Sequence, residues 1–191
     1  MDVDIDVDKT RFDPQHYFPA WPRAMVLKDG KLSPHPCGVY PQRIAVDPVT
    51  GYAAIPYDQA EDFGYLKVDF LNLTVYKHFT SRAEIEDLLK KEPDWTLLQL
   101  PSAQEKIFQL GKHGALLSDL KPRSIMEVAD IMALIRPGKK HFTGLYKTDR
   151  EAARRILFAK DETGYSFKKS HALAYSYVVH LQLHLIEMGR L

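Results

Sequence analysis

The chain has 191 residues, 45% hydrophobic and 27% charged, with 26 Lys+Arg against 25 Asp+Glu. That length carries one large domain or two small ones with a buried core, and the composition is that of an ordinary soluble globular protein. Cys37 is the sole cysteine, which excludes an intramolecular disulfide and fits a reducing, cytoplasmic compartment; the acidic N-terminus does not read as a secretory leader.

The near-neutral total hides an asymmetry. Residues 1–100 carry a net charge of −5 and residues 101–191 a net charge of +6. An acidic half that holds carboxylates and a basic half that meets phosphates would suit nucleotide or nucleic-acid chemistry, with chance asymmetry as the alternative.

At the start of the chain, acids and aliphatics alternate from Asp2 to Val7. As a β-strand, this segment directs Val3, Ile5 and Val7 into a core and Asp2, Asp4 and Asp6 away from it. Residues 13–22, rich in proline, read as turn and loop. Lys28-Asp29-Gly30-Lys31 and the segment from Asp47 to Gly51 read as hairpin turns, with strands expected at residues 24–27, 38–46, 52–57 and 65–73.

From about Ser81 the pattern becomes helical. Ser81 with Glu84, Ser124 with Glu127, and Thr148 with Glu151 each make a Ser/Thr-x-x-Glu capping signature. The first of these helices should stop before Pro93, and the second should run from Ile125 to about Ile135 before Arg136-Pro137-Gly138. Residues 103–120 are apolar in pattern but interrupted by Gly111 and Gly114. A last helix should start near Ser170 and end at Gly189. Residues 172–188 are the most apolar stretch, yet they contain His180, Gln182, His184 and Glu187, which indicates a buried helix and no membrane span. Tyr175, Val179, Gln182 and Ile186 fit its core face. A small sheet followed by helices gives class α+β.

Carboxylates crowded on one strand face repel one another, and a divalent cation relieves that repulsion. If Asp69 lies on a strand beside Asp4 and Asp6, the three acids suit two magnesium ions in phosphoryl or nucleotidyl transfer. In the 65–73 strand Lys67 shares a face with Asp69, where it can neutralise triphosphate charge or simply be solvated. Calcium loops need Gly at the sixth position and Glu at the twelfth; counted from Asp2 those positions hold Val7 and Asp13, so that reading is set aside. A frayed acidic terminus is the other reading of the first strand. His180 and His184, four apart, could share a zinc ion, but the sequence offers no evident third ligand.

Several stretches, in order, resemble the bacterial replicative polymerases of the C family, the DNA polymerase III alpha subunits. Residues 2–11 (DVDIDVDKTR) resemble their Pro-Asp-x-Asp-x-Asp-Phe strand, with Arg11 matching a following arginine. Residues 35–39 (HPCGV) resemble His-x-x-Gly-Val, and residues 66–73 (LKVDFLNL) resemble Val-Lys-x-Asp-x-Leu-Gly-Leu. Residues 107–109 (IFQ), 119–122 (DLKP) and 128–138 (VADIMALIRPG) resemble the first part of the fingers. Residues 164–185 resemble the later Gly-Tyr-x-Phe-x-Lys-Ser-His-x-x-x-Tyr motif.

The resemblance implies a reduced palm over residues 1–79, with a small mixed or antiparallel sheet of nucleotidyltransferase type, and mainly helical fingers over residues 80–191. Asp4, Asp6 and Asp69 would hold two Mg²⁺ ions and be catalytic. Lys67, Arg136, Lys169 and His171 would meet the nucleotide or template, with Tyr165, Phe167 and Tyr175 shaping that surface. Primer–template DNA and deoxynucleoside triphosphates would be the partners, with no membrane. The chain also departs from the family. Pro56 stands for a glutamine, Asn72 for the glycine of Leu-Gly-Leu, and Gly111-Lys112 for a Glu-Ser pair. A short proline-broken link stands where the family has a thumb, and the Gly-Ser triphosphate turn is missing from the stretch that matches. The implied function is a reduced or split polymerase core completed by a second chain. The alternatives are a non-catalytic module that binds DNA or a replisome component, and a different small nucleotidyltransferase or nuclease.

Overall fold

The computed structural model describes residues 2–7, 12–159 and 167–191; Arg11 and Tyr165 fall outside them. The fold is mixed α+β, and the chain divides into two compact units, Met1–Lys77 and His78–Leu191.

The first unit is built on a four-stranded mixed sheet in the order β1-β4-β3-β2. Its strands are β1 (Asp2–Val7), β2 (Arg23–Lys28), β3 (Lys31–Val39) and β4 (Lys67–Asn72). β1 runs parallel to β4, whereas β4–β3 and β3–β2 are antiparallel. The β2–β3 turn is the expected Asp29-Gly30 pair, with φ of 51° and 73°. Positive φ at both central residues matches the right-handed twist of the flanking strands.

Strand boundaries elsewhere differ from those expected. β3 occupies residues 31–39 and not 38–46, even though Pro34 and Pro36 lie within it. The ladder with β2 passes from Arg23↔Val39 to Met25↔Pro34, so Ala24 alone lies opposite the run from His35 to Gly38. A bulge of this kind accommodates the missing N–H of Pro36 and bends the strand, and Pro34 lies where β3 has no ladder to β4, which pairs it only at Gly38 and Val39. Residues 52–57 form no strand and contribute only isolated bridges, Val46↔Ala53 and Met25↔Pro56. The Asp47 carboxylate closes the turn between them by accepting from the Val49 and Thr50 amides at 3.0 and 2.8 Å.

Val39, Val68 and Phe70 form the core on one face of the sheet. Against them pack Phe12, Phe18 and Trp21, from the segment read as loop, with Phe18 and Phe70 stacked at 5.4 Å. A short helix α1 (Pro14–Tyr17), capped by Asp13, sets that aromatic cover in place. The cover reaches Val7 but not the start of the strand. Val3 and Ile5, expected in the core, are 42% and 41% exposed. The reason is position: β1 is an edge strand, and the aromatic segment spans only its C-terminal end. A second cluster gathers Ala24, Met25, Tyr40, Ile44 and Ala53 under α2 (Tyr57–Asp62).

The second unit is helical: α3 (Arg82–Leu88), α4 (Pro101–Gln104), α5 (Gly114–Leu120), α6 (Ile125–Leu134), α7 (Thr143–Thr148), α8 (Arg150–Leu157) and α9 (Lys169–Glu187). Every residue of α6 from Val128 to Leu134 is buried, as expected of a central helix with α9 against it. Two of the three expected capping boxes form. Ser81 Oγ accepts from Glu84 N and Ser124 Oγ from Glu127 N, each at 3.2 Å, and both glutamates reach back to a preceding backbone amide. The third is displaced by one residue. Asp149 caps α8 through Ala152 N, while the Thr148 hydroxyl bonds back to Leu145 O at the end of α7. A carboxylate is the stronger acceptor at a helix N-terminus, so Asp149 takes that place.

No helix among the described residues is long and apolar enough to cross a membrane. The histidine pair of α9 is structural. His180 Nε2 meets Leu88 O at 3.2 Å and His184 Nε2 meets Lys91 O at 3.1 Å, satisfying carbonyls at and just beyond the end of α3. The chain end is fixed by Arg190, which pairs with Glu84. That bond, followed by those from Thr80, draws the Glu84 carboxyl down to about 2. Because the folded value is depressed, the contribution of Glu84 to stability is present above about 4.5 and lost as pH falls toward 2. Arg190→Ala is expected to return the Glu84 titration toward 4.5; a carboxyl NMR titration checks this, and an unmoved value would refute the pairing.

Candidate metal and nucleotide site

The parallel β1–β4 ladder places Asp4 opposite Asp69 and Asp6 opposite Leu71. Paired positions in neighbouring strands project from the same face, and so do positions two apart. Asp4, Asp6 and Asp69 therefore share the sheet face opposite the Val68–Phe70 core. Lys67 joins them by the same alternation. It is not a solvated strand residue: it is 5% exposed, ion-paired with Asp69 Oδ2, and its Nζ lies 5.2 Å from the centre of the Tyr57 ring.

The carboxylates share a face without closing on a single centre. Among the described residues, the cluster whose ligand atoms all lie within 4.8 Å is His35, Cys37 and Asp69, and it does not include Asp4 or Asp6. The Asp6 carboxylate accepts from the Tyr76 hydroxyl at 2.8 Å. Burial, then this bond to Asp6, pushes the Tyr76 hydroxyl well above its ordinary titration range, so it stays a donor. Asp69 divides its oxygens: Oδ2 takes Lys67, while Oδ1 is buried without a hydrogen-bond partner, 3.6 Å from His35 Nδ1. Burial, then the Asp69 charge, raises the Cys37 thiol to about 11, with Asp4 adding to the effect.

This face carries more negative charge than Lys67 offsets, and it has an orphaned buried carboxylate oxygen. Three carboxylates are hard oxygen donors, the class that magnesium requires. Asp4, Asp6 and Asp69 are thus of the donor class a magnesium ion takes and share one sheet face, but they are not gathered about one point.

Gly38 explains the close approach. It pairs with Asp69 across β3–β4, and a Cβ at that position would lie 2.7 Å from Asp69 Oδ1 and 2.8 Å from His35 Nδ1. Arg23 holds the bulged strand from behind by donating to the His35 and Pro36 carbonyls at 3.3 and 3.1 Å. Sequence reading found Lys67 and the acids but missed Tyr76, whose contact with Asp6 spans 70 residues and has no local signature. The signal that was available for His35 and Cys37 was their place in the HPCGV stretch.

The other expected nucleotide contacts, Arg136, Lys169 and His171, belong to the second unit. Arg136 is engaged there: Nη2 donates to Gln109 Oε1 at 2.7 Å, and the guanidinium lies 4.1 Å from the centre of the Phe167 ring. Phe108 and His171 each meet the Tyr175 ring, at 5.3 and 6.2 Å. Residues 107–109, Arg136 and the start of α9 thus assemble into one aromatic and cationic corner. Lys169 is exposed at the first position of α9.

No family model matches the chain. Part of it is 33% identical over 106 residues to DNA polymerase III subunit alpha of Aquifex aeolicus (strain VF5), a match that covers 46% of this chain. The match spans only 9% of that protein's length, so the similarity relates part of this chain to a small part of a polymerase subunit.

Proposed function

We propose that the chain supplies the catalytic carboxylates of a C-family DNA polymerase core, reduced or completed by a second chain, and acts in templated nucleotidyl transfer. The observation that carries this reading is the register of β1 on β4, which sets Asp4 beside Asp69 with Asp6 on the same face. The partial likeness to a polymerase III alpha subunit supports it.

Asp4, Asp6 and Asp69 would hold two Mg²⁺ ions, which when bound supply an activated primer 3′-hydroxyl and neutralise the triphosphate and its leaving group. The chain's own residues have definable tasks. Tyr76 orients Asp6 by its hydroxyl. Lys67 pairs with Asp69 and, once the carboxylate has another cation, offers its ammonium to a triphosphate oxygen. Gly38 keeps the backbone close enough for Asp69 to face this space. Lys169 and His171 would meet nucleotide or template phosphates, while Arg136 would act through the corner it builds with Gln109 and Phe167.

A second reading is a module that binds primer–template or a replication partner without chemistry. The Lys67–Asp69 ion pair and the Tyr76–Asp6 bond favour it, because both satisfy the acids without a cation. Primer extension with Mg²⁺ separates the two readings. It is run on the chain alone and with a polymerase segment that supplies the Gly-Ser palm turn. Asp4 is half-buried on an edge strand, so Asp4→Asn changes charge with little change in packing. The polymerase reading predicts incorporation that falls about 10³-fold in Asp4→Asn. Equal incorporation by both proteins would remove the catalytic assignment. Tight DNA binding with no incorporation in either format would establish the second reading.

A further inference from the structure

His35 Nδ1, Cys37 Sγ and Asp69 Oδ1 make a mixed nitrogen, sulfur and oxygen donor set, distinct from the all-carboxylate set of the proposed magnesium site. Cys37 Sγ lies 3.9 Å and Asp69 Oδ1 3.6 Å from His35 Nδ1, and the three ligand atoms fall within 4.8 Å of one another. A tetrahedral zinc ion has bonds of about 2.0–2.1 Å to nitrogen, about 2.3 Å to sulfur and about 2.0–2.2 Å to oxygen, which sets its ligands about 3.3–3.6 Å apart. The nitrogen–oxygen and nitrogen–sulfur separations lie within a few tenths of an ångström of that geometry, whereas the sulfur–oxygen pair, within 4.8 Å, closes to it by a rotation of the Cys37 side chain of up to about 1 Å.

Three independent features favour a cation there. Asp69 Oδ1 is buried with no hydrogen-bond partner, although the residue is 8% exposed. Gly38 leaves open a point 2.7 Å from that oxygen and 2.8 Å from His35 Nδ1, which any other residue would fill with its Cβ. His35 Nδ1 accepts from the Gly38 amide at 2.9 Å, so it carries a lone pair and no proton, as a metal ligand must. The frame is rigid, since Arg23 ties down the His35 and Pro36 carbonyls. Three features oppose binding. The cation must take the Nδ1 lone pair from the Gly38 and Cys37 amides, Lys67 stays bonded to the other oxygen of Asp69, and the Cys37 thiol, raised by burial, must give up its proton to the metal.

We propose that His35, Cys37 and Asp69 form a site for one thiophilic divalent cation of the zinc class, with a fourth position open. Thiolate and imidazole donors select such ions over magnesium, which takes oxygen ligands. Because Asp69 is common to both donor sets, an ion held by His35 and Cys37 draws that carboxylate away from Asp4. The site is therefore a point of competition between a soft and a hard cation. The cation-binding part of this inference stands on the three side chains alone and does not require nucleotidyl transfer.

Cobalt(II) is the test probe, because it reports a bound thiolate through a sulfur-to-metal charge-transfer band. The reduced full-length chain is titrated with Co²⁺ and back-titrated with Zn²⁺. The expected result is a thiolate band that saturates at one equivalent and is displaced by zinc. Cys37→Ser should abolish the band, and His35→Gln should weaken Co²⁺ binding by about 10²-fold. Asp4→Asn should shift affinity no more than about threefold, since Asp4 is not one of the three ligands. Binding without a thiolate band, or equal affinity in wild type and Cys37→Ser, would overturn the proposal. The wild-type spectrum alone decides the first point, so a variant that folds poorly does not leave the question open.

Discussion

Asp69→Ala is expected to lose nucleotide incorporation and about 3 kcal/mol of stability together, and adding Lys67→Met is expected to restore the stability alone. Lys67 is buried and its ammonium pairs with Asp69. Removing one partner of a buried pair leaves the other charge without compensation, which costs about 3–5 kcal/mol, whereas replacing both by apolar groups is often neutral. The lower end applies here because the lysine stem can carry its charge toward solvent. Urea unfolding followed by Trp21 fluorescence reads the first unit, since Trp21 stacks on Phe18 beside Phe70. If Asp69→Ala is as stable as wild type, the ion pair has been misassigned. If the double variant regains incorporation as well as stability, Asp69 is not a catalytic ligand.

The second large effect is expected at Arg154→Met, in the second unit. Asp130 is fully buried in α6; its Oδ2 accepts from Tyr146 and from Arg154 Nε, both at 2.8 Å. Burial outweighs these bonds and raises the Asp130 carboxyl above its ordinary range. A group whose folded value is raised holds its proton more tightly folded than unfolded. Its contribution to stability is therefore greatest below the unfolded value of about 4 and declines as pH rises through the folded value. Arg154→Met keeps the packed stem but removes the compensating charge, so it is expected to cost about 3 kcal/mol at neutral pH. The loss should shrink in mildly acidic buffer, where Asp130 takes up its proton. Urea melts at the two pH values check this, and a loss that grows on acidification would contradict the assignment.

The residues that were legible are those governed by short-range rules. Strand alternation placed Lys67 and Asp69 on one face, and the Ser-x-x-Glu pattern located the starts of α3 and α6. Asp29-Gly30 announced its own turn. What was misread depends on partners far along the chain. Pro34 and Pro36 look like strand breakers, but Pro36 lies in the bulge opposite Ala24 and Pro34 lies beyond the short β3–β4 ladder at Gly38 and Val39. Val3 and Ile5 have the pattern of core residues, but an edge strand receives cover only where the aromatic segment reaches. Thr148 and Asp149 are adjacent candidate caps, and the stronger acceptor takes the position.

The site shows the same division. Asp4, Asp6 and Asp69 were readable as acids on strands, and pairing of β1 with β4 is the arrangement that makes them neighbours. Their present partners were not readable, because Tyr76 and the bulged His35–Gly38 stretch approach only through the tertiary fold. Arg136 was expected to face a ligand. Its hydrogen bond to Gln109, a residue with φ of 57°, and its place over the Phe167 ring have no local signature in the sequence.

On the proposed reading, the shared face of β1 and β4 captures divalent cations through its aspartates. Manganese(II) binding, followed by the loss of the free-ion paramagnetic resonance signal and competed with Mg²⁺, tests it most directly. With Cys37→Ser as the background, two magnesium-displaceable ions per chain are predicted, both lost in the added Asp4→Asn, Asp69→Asn variant. Equal manganese binding with and without the two amides would show that these aspartates hold no divalent cation.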